Sequence, residues 1–92
     1  MSEVKVKFYA SLKEKIGKNE ITINADNMHE LIKVLKDKLG NNFSTCVIGE
    51  DGYIKDYYIL ILNDRIIGKK DFPTVQLKEK DVIHIFPPVA GG

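Results

Sequence analysis

The stretch DNMHELIKVLKDKLG, residues 26–40, decides the fold because it is the one long segment with a helical pattern. Its apolar side chains recur every three or four residues, so they lie along one side of a helix. Asn27 and Glu30 have the spacing of a capping box at the helix start, and Gly40 supplies a left-handed stop at its end. The apolar side of this helix is formed by Met28, Leu31, Ile32, Leu35 and Leu39.

The segments on both sides of this helix have the period of two that is typical of strands. VKVKFYA (residues 4–10) and EITINA (residues 20–25) precede it and alternate between apolar and polar side chains. After the helix, YYILIL (residues 57–62) is apolar on both faces, as expected of a central strand. A short strand at residues 65–67 and a last strand, VIHIF (residues 82–86), complete the pattern.

This order of elements predicts an α+β domain of the ubiquitin-like β-grasp type, a mixed sheet with one main amphipathic helix packed on one face. Residues 1–86 form the domain and residues 87–92 a flexible tail. SLKEKIG supplies one helical turn closed by Gly17, and NNFSTCVIG is compatible with a short helix. The sheet face opposite the main helix has no second helix to cover it, so it meets water or a partner.

Composition narrows the class of protein. A chain of 92 residues buries one modest core, which favours a binding module over an enzyme. The net charge of +1 gives no overall field that would attract nucleic acid or a membrane surface. The single cysteine, Cys46, excludes an internal disulfide and indicates a reducing compartment. No apolar run approaches the roughly 20 residues of a membrane span, and no signal peptide is recognised, so we expect a cytoplasmic protein.

Strand parity predicts which side chains face a partner. Because Val6 and Phe8 form the apolar set of the first strand, Tyr9 falls on the open face. Ile83 and Ile85 are the inward set of the last strand, which places Phe86 on the same side as Tyr9. With Ile66 these two aromatic side chains predict an exposed apolar patch, the kind of surface that marks protein interfaces.

No catalytic, phosphate-binding or metal-binding pattern accompanies this surface. His84 and His29 have no further ligand at metal spacing, so no metal site is expected. Cys46 lies among apolar residues without a base, which is typical of an inert thiol. The few aromatic side chains are too scattered to predict base stacking on nucleic acid. The domain alone is therefore expected to bind no cofactor.

The last six residues look like a reactive arm. Two prolines end sheet pairing and form a stiff extended spacer, so that the tail reaches roughly 20 Å from the domain. Terminal glycines have no Cβ, which lets another protein and a nucleotide approach the carboxylate closely. Such a carboxylate is inert until ATP converts it to an acyl-adenylate, which sulfide or an amine can attack. The arm consists of Pro87, Pro88, Val89, Ala90, Gly91 and Gly92.

The sequence resembles the MoaD/ThiS family of ubiquitin-like sulfur carriers, and within it the small subunit of molybdopterin synthase. VKVKFYASLKEKIG, ILILNDRII and above all KDVIHIFPPVAGG carry the resemblance, which spans nearly the whole chain. It implies that Gly92 is adenylated by a ubiquitin-activating-like enzyme that uses ATP and is converted to a thiocarboxylate. It also implies that the large synthase subunit receives the tail, and that Tyr9, Ile66 and Phe86 are contact sites. We expect a monomer when the protein is free.

The alternative functions differ in the group that reacts with the activated Gly92. A protein modifier would join Gly92 to lysine amines, and FPPVAGG favours the molybdopterin pathway over the thiamine-pathway carrier. A plain interaction domain would have two glycines without function. Two departures from the family pattern lie in turns: Lys80 stands where glycine is common, and Asn63-Asp64 replaces a commoner Asn-Gly.

Overall fold

A computed structural model describes residues 2–88 of the chain. Within them, five strands form one sheet: β1 (Glu3–Phe8), β2 (Glu20–Asn24), β3 (Ile59–Leu62), β4 (Arg65–Ile67) and β5 (Val82–Phe86). The strand order is β2-β1-β5-β3-β4. The central pair, β1 and β5, is parallel, and each of the other pairs is antiparallel. The mixed sheet predicted from the sequence is confirmed, with β3 held between two neighbours.

Three α-helices and one 3₁₀ helix join these strands within residues 2–88: α1 (Ala10–Ile16), α2 (Met28–Leu39), α3 (Asn41–Val47) and the 3₁₀ helix (Lys69–Thr74). Their buried side chains and the inward side chains of the sheet form a single core. Leu31 and Leu35 of α2, Val6 of β1 and Ile85 of β5 all belong to this core and are fully buried. The helices therefore cover one face of the sheet, as the sequence predicted.

The caps of α2 follow the predicted spacing with one difference at each end. Asn27 Oδ1 accepts a hydrogen bond from the Glu30 N–H at 2.9 Å. The Glu30 carboxylate accepts from the N–H of Asp26, one residue before the expected Asn27. Gly40 ends the helix at φ +70° and ψ −150°, outside the left-handed helical region that we expected. This conformation is essentially limited to glycine, and it turns the chain directly into α3.

The segment between α2 and β3 is more ordered than its sequence pattern indicated. NNFSTCV forms α3, which buries Phe43 and Val47 completely. A single β-bridge between Ile48 and Ile54 closes the following loop. The helical turn predicted after β1 is the two-turn helix α1, which Gly17 closes at φ +83°. None of the helices within residues 2–88 is long and apolar enough to cross a membrane.

The two departures from the family pattern differ in whether their backbone angles favour glycine. Lys80 adopts φ +71°, a left-handed conformation in which glycine is more favourable. In the Asn63-Asp64 turn only Asn63 has a positive φ, of +58°. Asparagine tolerates that region, and Asp64 does not need to be glycine. The first departure therefore introduces strain and the second does not.

Candidate functional site

Within residues 2–88, no helix covers the sheet face opposite the helical layer, and its side chains run in rows across the strands. One row places Lys7 of β1 beside His84 of β5, then Ile61 of β3 and Ile66 of β4. The next row pairs Phe86 of β5 with Ile59 of β3. We call the surface formed by Tyr9, Ile59, Ile61, Ile66, His84 and Phe86 the open-face patch. Charged side chains lie on the β1 and β2 side of this patch.

Aromatic rings form the centre of the patch. The Tyr9 ring stacks on Phe86, with 4.2 Å between ring centroids and 15° between planes. The Tyr9 hydroxyl hydrogen-bonds Nδ1 of His84 at 2.6 Å, and the two rings lie 5.7 Å apart. Strand parity therefore predicted the positions of Tyr9 and Phe86 correctly. The role of His84 in this cluster was missed, because no local sequence pattern indicates a contact between residues 9 and 84.

Isoleucines form the other half of the patch. Ile66 is 70% exposed and Ile59 is 48% exposed, although both are large apolar side chains in strands. Ile61 lies between them in a half-buried position, paired across the strands with Ile66. The sequence prediction included Ile66 but not Ile59 or Ile61. The signal for them was present in YYILIL, where Leu60 and Leu62 fill the core and leave two isoleucines facing out.

The tail begins beside this patch. Phe86 is the last residue of β5 and belongs to the patch. Pro87 is buried and Pro88 is exposed. The predicted site residues Val89, Ala90, Gly91 and Gly92 lie outside the described residues.

Other polar side chains within residues 2–88 make contacts that join neighbouring segments. The Tyr58 hydroxyl donates to the carbonyl oxygen of Cys46 at 3.0 Å, and burial raises the pKa of this phenol. Lys69 forms ion pairs with Asp51 and, at 3.5 Å, with Asp56, and so ties the loop before β3 to the 3₁₀ helix. No group of three or more potential metal ligands is found in this part of the chain.

These features define a ubiquitin-like β-grasp protein with an uncovered apolar sheet face that leads into a glycine-ended tail. The family model described as the ThiS family matches residues 6–92, and the chain belongs to that family. The resemblance predicted from the sequence is therefore confirmed. The family relatives include ubiquitin-like sulfur carriers and protein modifiers.

Three similar proteins are informative. Small archaeal modifier protein 3 of Haloferax volcanii is 26% identical over 93 residues, which cover 98% of this chain and 99% of that protein. The solution structure of small archaeal modifier protein 1 from Methanosarcina acetivorans has a TM-score of 0.81 at 28% identity, covering 100% of this chain and 98% of that one. A chain in the complex of subunits 1 and 2 of the molybdopterin-converting factor from Helicobacter pylori has a TM-score of 0.68 at 27% identity, covering 98% and 99%.

Proposed function

We propose that this protein is a sulfur carrier for molybdopterin biosynthesis, with the Gly92 carboxylate as its reactive group. The observation that carries the proposal is the continuity between the open-face patch and the tail, which meet at Phe86. A partner that covers the patch also receives the tail, so docking would direct Gly92 into an active site on that partner. The family match, which extends to Gly92, supports this role.

The proposed chemistry has two steps, both catalysed by other proteins. The Gly92 carboxylate attacks the α-phosphorus of ATP, which forms an acyl-adenylate and releases pyrophosphate. A sulfide equivalent then attacks the acyl carbon, which leaves a terminal thiocarboxylate and releases AMP. The chain itself supplies the substrate carboxylate and the docking surface, while the activating enzyme binds ATP.

Two partners follow from this chemistry. A ubiquitin-activating-like adenylating enzyme would load the tail, and the large subunit of molybdopterin synthase would accept the sulfur. The Helicobacter pylori complex of two converting-factor subunits supports a partner of the second kind. We propose that both partners use the open-face patch in turn, and that the free protein is a cytoplasmic monomer. The apolar patch favours a protein over nucleic acid as the partner.

Protein modification is a second candidate function, because two of the similar proteins are small archaeal modifier proteins. In this role a lysine amine of a target would attack the activated Gly92 carbonyl and form an isopeptide bond. Activation of the carboxylate is common to both functions. The acceptor of the acyl group, sulfide or amine, distinguishes them.

The test is intact-mass analysis after incubation with ATP, sulfide and host extract, with a chain lacking Gly92 as the control. Thiol-selective alkylation must accompany it, because replacing oxygen by sulfur changes the mass almost as methionine oxidation does. An alkylated terminus on the full chain alone is the result expected of the carrier. Conjugates to other proteins without thiocarboxylate would favour the modifier. Neither product, in an extract that activates a known family member, would refute both functions.

A further inference from the structure

We propose that the adenylating enzyme places an aspartate or glutamate carboxylate against Lys7 and His84, at the charged side of the open-face patch. This inference rests on the proposed function, because it concerns the partner that activates Gly92. It adds a specific charged contact to the apolar packing by which the two proteins would recognise each other. Three observations carry it: the hydrogen bond at His84, the position of Lys7, and the contrast between Lys7 and Lys5.

His84 presents one free ring nitrogen to the partner. The Tyr9 hydroxyl and Nδ1 of His84 are hydrogen-bonded at 2.6 Å, and when the hydroxyl is the donor, the ring proton of His84 is on Nε2. Within residues 2–88, no side-chain nitrogen or oxygen is both buried and without a hydrogen-bond partner. The Nε2 atom makes no hydrogen bond in this part of the chain, so it is not fully buried and a partner can reach it. A partner that buries it must supply an acceptor.

Lys7 lies directly beside this donor. Lys7 and His84 are register partners in the parallel pair β1 and β5, and neighbouring strands are about 4.8 Å apart. Both side chains are half-buried on the open face. If apolar atoms of a partner covered this row, a cation and an N–H group would be buried without hydrogen-bond partners. Burial of either group in that state costs free energy. A carboxylate has two oxygens and can accept from both groups at once.

Lys5, on the same face of the sheet, already has a charged partner. It lies two residues before Lys7 on β1 and forms an ion pair with Glu20 at 3.4 Å. Glu20 is the register partner of Lys7 across β1 and β2, but its carboxylate pairs with Lys5, and within residues 2–88 Lys7 itself forms no ion pair. The available cation is therefore the one next to the aromatic centre of the patch. A backbone carbonyl could accept from Nε2 of His84, but only a carboxylate also neutralises the charge of Lys7.

The experiment is ATP–pyrophosphate exchange by the cognate adenylating enzyme, with this protein as the varied substrate. Lys7→Met keeps the length of the side chain and removes the charge, and Lys5→Met is the matched control. We expect Lys7→Met to raise KM about tenfold and Lys5→Met to raise it less than about twofold. The exchange kcat should stay unchanged in both, because neither side chain belongs to the tail. Lys7→Glu should raise KM further than Lys7→Met, because it places a like charge against the partner's carboxylate.

Salt dependence and a second variant complete the test. Added salt should raise the KM of the wild-type protein more than that of Lys7→Met, since screening acts on the ion pair. His84→Leu should also raise KM, because the donor is lost. Equal KM values for Lys7→Met and Lys5→Met would overturn the inference and leave the proposed function intact. A wild-type protein that supports no exchange would overturn both.

Discussion

The Phe86 ring stacks on the Tyr9 ring, with 4.2 Å between their centroids. This contact joins the last residue of β5, from which the tail leaves the sheet, to the residue that follows β1. A partner that packs on Tyr9 therefore also packs on the base of the tail. Under the proposed function, docking at this stack would therefore also deliver Gly92 to the partner.

The first prediction concerns this stack. We expect Phe86→Asp to weaken binding to the adenylating enzyme at least tenfold, because it places a carboxylate in the apolar centre of the interface. Folding should persist, since the inward side chains of β5 are Ile83 and Ile85. Isothermal titration calorimetry would measure the affinity, and circular dichroism would check the fold.

Thr22→Asp is the matched control for this change. Thr22 is exposed on β2 and pairs with Lys5, so it lies at the edge of the same sheet. Its substitution should change the affinity less than about threefold, because charges at an interface rim contribute little. Similar losses of affinity in both variants would argue against the open-face patch as the docking surface.

The parts of the fold that the sequence predicted are those with a repeated local pattern. Alternation located β1, β2 and β5, and a spacing of three to four residues located α2. Parity within those strands then placed Tyr9 and Phe86 on the open face. These predictions succeed because each side chain's environment follows from its position in a regular element.

The parts that the sequence did not predict depend on distant contacts. In α3 the buried residues Phe43 and Val47 are too few to define a period, and Ile54 reaches the core from a loop. The 3₁₀ helix contains Pro73 and was not assigned. The hydrogen bond between Tyr9 and His84 joins residues 75 positions apart. Such pairs become visible only when the strand order is known.

A second prediction concerns the turn before β5. Lys80 adopts φ +71°, and an L-residue in this region is strained by roughly 1–2 kcal/mol. Lys80→Gly relieves that strain. It also increases the entropy of the unfolded chain, which lowers the free energy of unfolding by roughly 0.4–1 kcal/mol. We expect a net gain of about 0.5–1 kcal/mol in the free energy of unfolding, measured by urea denaturation.

Asn63→Gly is a useful contrast, because Asn63 also has a positive φ, of +58°. Its side chain donates to Asp81 Oδ1 at 3.1 Å and accepts from the N–H of Val82 at 3.0 Å. Glycine would remove both hydrogen bonds, each worth roughly 0.5–1.5 kcal/mol, so stability should fall. If both glycine variants were stabilised equally, the side-chain contacts of Asn63 would be shown to contribute nothing.

A third prediction tests whether α3 belongs to the core. Phe43 is 0% exposed, so Phe43→Ala should lower the free energy of unfolding by about 3–5 kcal/mol. Asn42→Ala, one residue earlier on an exposed position, should change it by less than about 0.5 kcal/mol. If Phe43→Ala fails to fold, Phe43→Leu gives a smaller loss that can be measured. A loss below about 1 kcal/mol for Phe43→Ala would show that α3 is not packed as described.

The last prediction concerns acid stability and the contact between Lys69 and Asp51. The hydrogen bond from Lys69 is the largest influence on Asp51 and lowers the pKa of this carboxyl from its ordinary value of 3.8. Because the pKa is lower in the folded protein, the contact stabilises it above pH 3.8 and this contribution is lost as the pH falls through the lower folded value. Urea midpoints measured from pH 7 to about pH 2 should therefore fall more steeply in the wild-type protein than in Lys69→Met. Lys70→Met, a neighbouring exposed lysine, should keep the wild-type pH profile, and a constant difference between wild type and Lys69→Met across the acid range would contradict the assignment.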